Sequence, residues 1–233
     1  VFKKDKKGNE WYGTDDGLYR KEKNSPAYKQ FTLLGLPGTD TRNKFINGIL
    51  ESQHNGLWLQ TDNGLFLYRY DTDAIERHVY QDYTGDPLIT QDVNAMYEDP
   101  EGILWIGLWQ GGLVKYDPKN KTTKNYKLED GLPSMSVQGI LGDESKGSLW
   151  LSTFNGLSRF DKKTEIFNNY SVMDGIQGTQ FADGALLKTS EGLFIFGGSN
   201  GITFFNPGDI EINISPPKVF LTDLKLFNKS VLP

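Results

Sequence analysis

The residues best suited to chemistry in this chain are aromatic and amide side chains set among glycines: Asp62, Asn63, Trp109, Gln110, Phe154, Asn155, Ser199 and Asn200. An indole such as Trp109 offers a flat apolar face that stacks on a sugar ring or a partner side chain. The amides and hydroxyls beside it both donate and accept hydrogen bonds. Stacking and hydrogen bonding amount to ligand recognition rather than bond breaking. Each residue also has a plainer reading. Trp109 can fill a gap between repeats, and Asn or Asp beside Gly suits tight-turn geometry whatever its partner.

Catalytic chemistry finds less material. The chain has no cysteine, which removes disulfides, thiolate metal sites and cysteine nucleophiles. Its two histidines, His54 and His78, fall on a turn at the far end of the repeat and on an outer strand. No catalytic residue is therefore assigned. The 30 acidic residues leave a converging carboxylate pair open. Asp71-Thr72-Asp73 resembles the start of a calcium loop but lacks the later Gly and Glu, so no metal site and no cofactor is expected. A formal net charge of -5, with lysines scattered among carboxylates, argues against nucleic-acid binding. No apolar run reaches the roughly 18 residues of a membrane span, so membrane attachment is expected only through regions outside this chain.

The elements that hold these residues are visible as a repeat. Trp11, Trp58, Trp105, Trp150 and Phe194 recur at intervals of 47, 47, 45 and 44 residues. Around each runs one pattern: Gly-x-Leu-Trp-Leu, a small residue, Thr, two polar residues, Gly-Leu, then an aromatic and Asp. Glycine interrupts the pattern about every eight residues, which is too often for helices of 10 to 12 residues, and 26 Gly and 30 aromatic residues outweigh five Ala. The expected fold is all-β, a β-propeller of four-stranded antiparallel blades. About five blades are present, a fragment of a larger propeller.

In the fourth repeat, strand A covers Val137 to Leu141, B Ser148 to Ser152, C Leu157 to Phe160 and D Glu165 to Tyr170. Asn155-Gly156 and Asn63-Gly64 are expected to supply the positive φ of the B–C hairpin. The repeated Trp and Phe194, with the Leu after each turn Gly, should form the core between blades. Arg20, Arg69 and Arg159 are expected to be solvated or paired between blades. Blades are placed at about 1–37, 38–87, 88–133, 134–177 and 178–210, with 211–233 a linker and the first strand of a following domain.

With Gly131-Leu132-Pro133, Leu149-Trp150-Leu151 and Asn155-Gly156-Leu157 recurring in order, the sequence resembles the two-component regulator propeller repeat of periplasmic sensor regions. The tail at 216–233 is similar to the opening of the triple-tyrosine β-sandwich that follows such propellers. The resemblance implies a periplasmic ectodomain of an inner-membrane receptor. Such an ectodomain binds glycan-derived oligosaccharides or another small periplasmic ligand. It acts as a homodimer and signals to a cytoplasmic histidine kinase outside this chain. Two other classes stay open: a propeller that binds only protein, and a propeller lyase or glycosidase.

Overall fold

The computed structural model describes residues 1–33, 45–61, 64–78, 93–210, 223, 225–227 and 229–230. They form five antiparallel sheets and one short strand pair. The first sheet holds β1 (Phe2–Lys4), β2 (Glu10–Thr14), β3 (Gly17–Lys21) and β4 (Tyr28–Phe31). The second holds β5 (Ile46–Ser52), β6 (Gly56–Thr61), β7 (Gly64–Arg69) and β8 (Ala74–His78). The third holds β9 (Val93–Glu98), β10 (Leu104–Leu108), β11 (Gly112–Asp117) and β12 (Thr122–Tyr126). The fourth holds β13 (Val137–Asp143), β14 (Ser148–Thr153), β15 (Gly156–Asp161) and β16 (Phe167–Tyr170).

The fifth has three strands, β17 (Phe181–Lys188), β18 (Phe194–Gly198) and β19 (Gly201–Phe205). Strands pair in chain order within every sheet, as expected for propeller blades. β20 (Lys225–Leu226) pairs with β21 (Lys229–Ser230) in the tail. The blade boundaries expected near 37 and 87, and most of the tail, lie outside the described residues.

The core lies between blades rather than within them. Four apolar clusters each draw on two consecutive sheets, so the facing sides of adjacent blades cover one another. Trp11, Trp58, Trp105, Trp150 and Phe194 are all at most 2% exposed. Each indole meets an aromatic of the next blade's third strand. Ring centroids lie 4.6 Å apart for Trp11 and Tyr68, 5.5 Å for Trp105 and Phe160, and 4.6 Å for Trp150 and Phe205. The aromatic four residues after the turn Gly, Tyr68, Tyr116, Phe160 or Phe205, therefore serves as the partner of the previous blade's tryptophan.

The glycine before Leu in the repeat has two physical causes. Gly112 and Gly156 adopt φ of 83° and 93°. A side chain there would also press on the carbonyl oxygen of Tyr126 or Tyr170 in the adjacent outer strand. Asn155 keeps an ordinary φ, so Gly156 alone supplies the positive value in that hairpin. The fourth strand also starts later than expected. Glu165 stands at φ 58° with its N–H on the Asp161 carbonyl, and β16 begins only at Phe167.

Polar residues complete the interfaces. Arg20 crosses from the first blade to donate to Tyr68 and Asp73 of the second, each at 2.8 Å. Arg159 is 7% exposed and donates to Ser148 at 3.2 Å, whereas Arg69 stays local with Asp71. His54 sits in the turn between β5 and β6 with Nδ1 2.8 Å from Glu98. His78 lies edge-on to Trp58 at 4.9 Å and against the Tyr116 hydroxyl, and burial pushes its imidazole below the usual value.

Candidate functional site

The turns between second and third strands meet the connectors between blades on one end of the molecule. After β12, a 3-10 turn at Leu128–Asp130 is closed by its own capping box, in which Asp130 accepts the Lys127 N–H at 2.8 Å. Gly131, at φ 101°, then reverses the chain. Leu132 dives into the core at 2% exposure and leads residues 133–136 along the rim.

Both neighbouring turns hang on this rim. The Gly112 N–H donates to Met135 O at 2.8 Å and the Phe154 N–H to Ser136 O at 3.3 Å. Gln110, at φ 58°, donates its backbone N–H to Ser136 Oγ at 3.3 Å. Asn155 Nδ2 donates to Pro133 O at 3.1 Å. The next interface repeats the device, with Val172–Asp174, Gly156 N–H to Thr179 O at 2.7 Å and Ser199 N–H to Gln180 O at 3.1 Å.

Of the eight residues singled out by type and spacing, the fold brings four together. Trp109 and Phe154 come from adjacent blades, and their rings meet edge to face with centroids 5.0 Å apart and planes at 87°. They remain 40% and 38% exposed, so both rings stay partly open to solvent. Gln110 and Asn155 flank them and are held by the shared connector. Ser199 and Asn200 sit one blade further on, where the Asn200 N–H donates to Gln177 Oε1 at 2.8 Å. Asp62 and Asn63 lie outside the described residues.

A second group of polar residues was not evident from the repeat. Asn47, Gln60, Asn94 and Asp183 line a cavity of about 340 Å³ bounded by the inner strands β5, β9 and β17. Gln60 Nε2 donates to the Asn94 carbonyl at 2.8 Å. Asp183 opens onto the cavity, and the protein crowded around it pushes its carboxyl above the usual range, with the Gly184 N–H opposing. A sequence signal did exist. Asn47 stands eleven residues before Trp58, and Asn94 stands eleven before Trp105.

The repeated sequence has a counterpart among known proteins. Residues 87–110 match the family model of the two component regulator propeller. The resemblance read from the recurring Trp and Gly-Leu residues is thereby borne out. The chain is 29% identical over 232 residues to Histidine kinase P4 of Formosa agariphila, covering 95% of this chain and 16% of that protein.

Two solved structures from B. thetaiotaomicron share the fold, both extracellular domains of proteins assigned as hybrid two component systems. BT4673 matches with a TM-score of 0.74 and 23% identity over 89% of this chain and 29% of that one. BT3049 matches with a TM-score of 0.59 and 22% identity over 99% of this chain and 38% of that one. The repeat region thus spans 16% of the kinase and well under half of either ectodomain. Among the described residues no helix is long and apolar enough to cross a membrane.

Proposed function

We propose that this segment is the ligand-sensing propeller of a periplasmic receptor ectodomain, binding glycan-derived oligosaccharides and signalling, as a homodimer, to a cytoplasmic histidine kinase outside this chain. The observation that carries the reading is the half-exposed pair of Trp109 and Phe154, fixed 5.0 Å apart by two adjacent blades. Aromatic faces held open by rigid turns suit the apolar faces of sugar rings, and Gln110 and Asn155 stand beside them for hydroxyl groups. The match to the regulator propeller family, the relative named as a histidine kinase and the two ectodomain folds support the receptor setting.

A protein-binding role has one observation in its favour. Ile202 and Phe204 on β19 are each 62% exposed and lie on the same side of that strand. Calorimetry of the protein against plant and host glycan oligomers separates the readings. The sensor reading expects saturable binding without turnover, weakened at least tenfold by Trp109→Ala. Turnover of an oligomer would make the segment an enzyme, and silence across the panel would leave the protein-binding role.

A further inference from the structure

The cavity among the inner strands has no place in the aromatic site, yet its walls share a built irregularity. In β5, Ile46 pairs with Thr61 and Gly48 with Gln60, so Asn47 is the extra residue of a bulge. In β9, Val93 faces Leu108 and Ala95 faces Gly107, which makes Asn94 the extra residue at the matching place. In β13 the same step falls at Gln138, between Val137 and Gly139. In β17 the bulge is larger: Phe181 faces Gly198 and Leu186 faces Phe196, so residues 182–185 oppose Gly197 alone. A bulge interrupts the alternation of a strand and re-aims a side chain, and bulges concentrate beside binding sites. Here the re-aimed residues of three strands are two carboxamides and Asp183, all lining one cavity.

Two of the bulge amides are incompletely used by the protein. Asn94 Nδ2 is buried without a hydrogen-bond partner among the described residues, and so is Nε2 of Gln138, which is 1% exposed. Buried amide donors are almost always satisfied, so these two orphans show that the bulges place carboxamides where the protein itself has little use for them; of the two, Asn94 lines the cavity. The cavity, at about 340 Å³, lies at the small end of the roughly 300–1,000 Å³ typical of small-molecule sites. Its position is set by register. Val93 faces Leu108, and Trp109 follows Leu108 directly, so the Asn94 bulge lies at the end of the blade that carries the aromatic pair.

We propose that Asn47, Asn94 and Asp183 form a hydrogen-bonding site for a neutral polyhydroxylated ring, a single hexose unit, distinct from the stacking surface of Trp109 and Phe154. Carboxamides donate and accept at once, as hydroxyl groups do, and a carboxylate accepts from hydroxyls while repelling anionic sugars. Leu50 and Met96 supply the apolar wall that a pyranose ring needs beside its hydroxyls. This inference rests on the sensor reading above and adds a second contact point to it.

Saturation-transfer NMR of the protein with glucose, galactose and mannose tests the site, alongside calorimetry with glycan oligomers. At least one hexose should bind the wild type, and Asn94→Leu and Asp183→Asn should each weaken it at least tenfold. Asn94→Leu removes an orphan donor, so it should melt at or above the wild-type temperature, whereas a purely structural amide would lower it. Absence of binding by all three hexoses, or unchanged binding by Asn94→Leu, overturns the inference. Oligomer binding that depends on Trp109 without any hexose binding keeps the sensor reading and rejects this site. Hexose binding that depends on Asn94, with oligomer affinity indifferent to Trp109→Ala, does the reverse.

Discussion

Trp105 donates its indole N–H to Asp99 Oδ2 at 2.9 Å, and the Asp99 side chain, 3% exposed, is the point where the third and fourth blades are tied together. Its other oxygen accepts the backbone N–H groups of Glu101 and Ile103, which shapes the turn before β10. Lys162 of the fourth blade reaches the same carboxylate at 3.0 Å. Asp5 repeats the arrangement in the first blade, accepting Trp11 Nε1 at 2.8 Å and the Asn9 N–H at 2.8 Å. Replacing Asp99 by Ala orphans a buried indole N–H and leaves the mostly buried Lys162 ammonium with Glu101 as its remaining carboxylate. The expected cost is about 2–4 kcal/mol in urea unfolding, well above that of Asp117→Ala in an exposed turn.

The tryptophans are equal in burial but not in bonding. Trp58 Nε1 and Trp150 Nε1 are buried without a hydrogen-bond partner among the described residues, whereas Trp11 and Trp105 each have an Asp. Ser52 stands six residues before Trp58, where Asp99 stands before Trp105, and its hydroxyl donates to Glu98 instead. Trp58→Phe therefore loses ring area only, while Trp105→Phe also strips a bond from a buried carboxylate. Trp105→Phe should be the more destabilising by about 1–2 kcal/mol, read from paired denaturant midpoints at unchanged slope.

Acid should loosen the interface between the first two blades in a defined window. Burial raises the Asp73 carboxyl, but hydrogen bonds from Lys29 and Tyr68 and the charge of Arg20 outweigh it, bringing it from 3.8 to about 2. A carboxyl depressed in the folded state contributes stability above its unfolded value and loses it as pH falls toward the folded one. Stability should decline between pH 4 and about pH 2, and Asp73→Asn should flatten that decline. A wild-type slope in the Asn variant would remove Asp73 from the account.

The architecture was legible because its cause is periodic. A large aromatic every 44 to 47 residues with Gly and an aliphatic residue behind it is a packing rule written once per blade, and all five anchoring aromatics are buried as that rule requires. The rim site was legible in part, since Trp109 and Phe154 stand at turn tips that the Gly-Leu motif locates. Their meeting across two blades was not, because it depends on how the connector at 133–136 aligns one turn with the next. The bulge positions of the cavity amides were hidden for another reason. Asn47 and Asn94 sit in otherwise ordinary strands, and only the pairing register reveals that each is the extra residue of a bulge.

The hairpin glycines should be unequal in a way that separates backbone strain from crowding. Gly147 has φ 61° with open space where a side chain would go, whereas Gly156 has φ 93° and faces the Tyr170 carbonyl oxygen. Gly147→Ala carries the left-handed penalty alone, about 1 kcal/mol. Gly156→Ala must also push β16 away from β15, breaking the pairing of Leu157 with Tyr170, and should cost about 2–4 kcal/mol. Equal midpoints for the two variants in thermal or urea unfolding would show that β16 yields freely.

Trp109 was open to two readings, a platform for a ligand or a filler between blades three and four, and stability measurements separate them without any ligand. A filler behaves as core, and truncating a buried Trp to Ala costs about 3–5 kcal/mol because the cavity left behind collapses only in part. A ring that is 40% exposed and touches Phe154 edge to face has far less to lose. Trp109→Ala should cost no more than about 1.5 kcal/mol, and a double-mutant cycle with Phe154→Ala should give a coupling of about 0.5–1.5 kcal/mol. Since Gln110 and Asn155 are held through the 133–136 connector rather than through the indole, the turn should keep its shape in the single variant. Any loss of oligosaccharide binding can then be assigned to the missing aromatic face. A cost in the range of a buried core residue would make Trp109 part of the blade interface and move the recognition surface elsewhere on the rim.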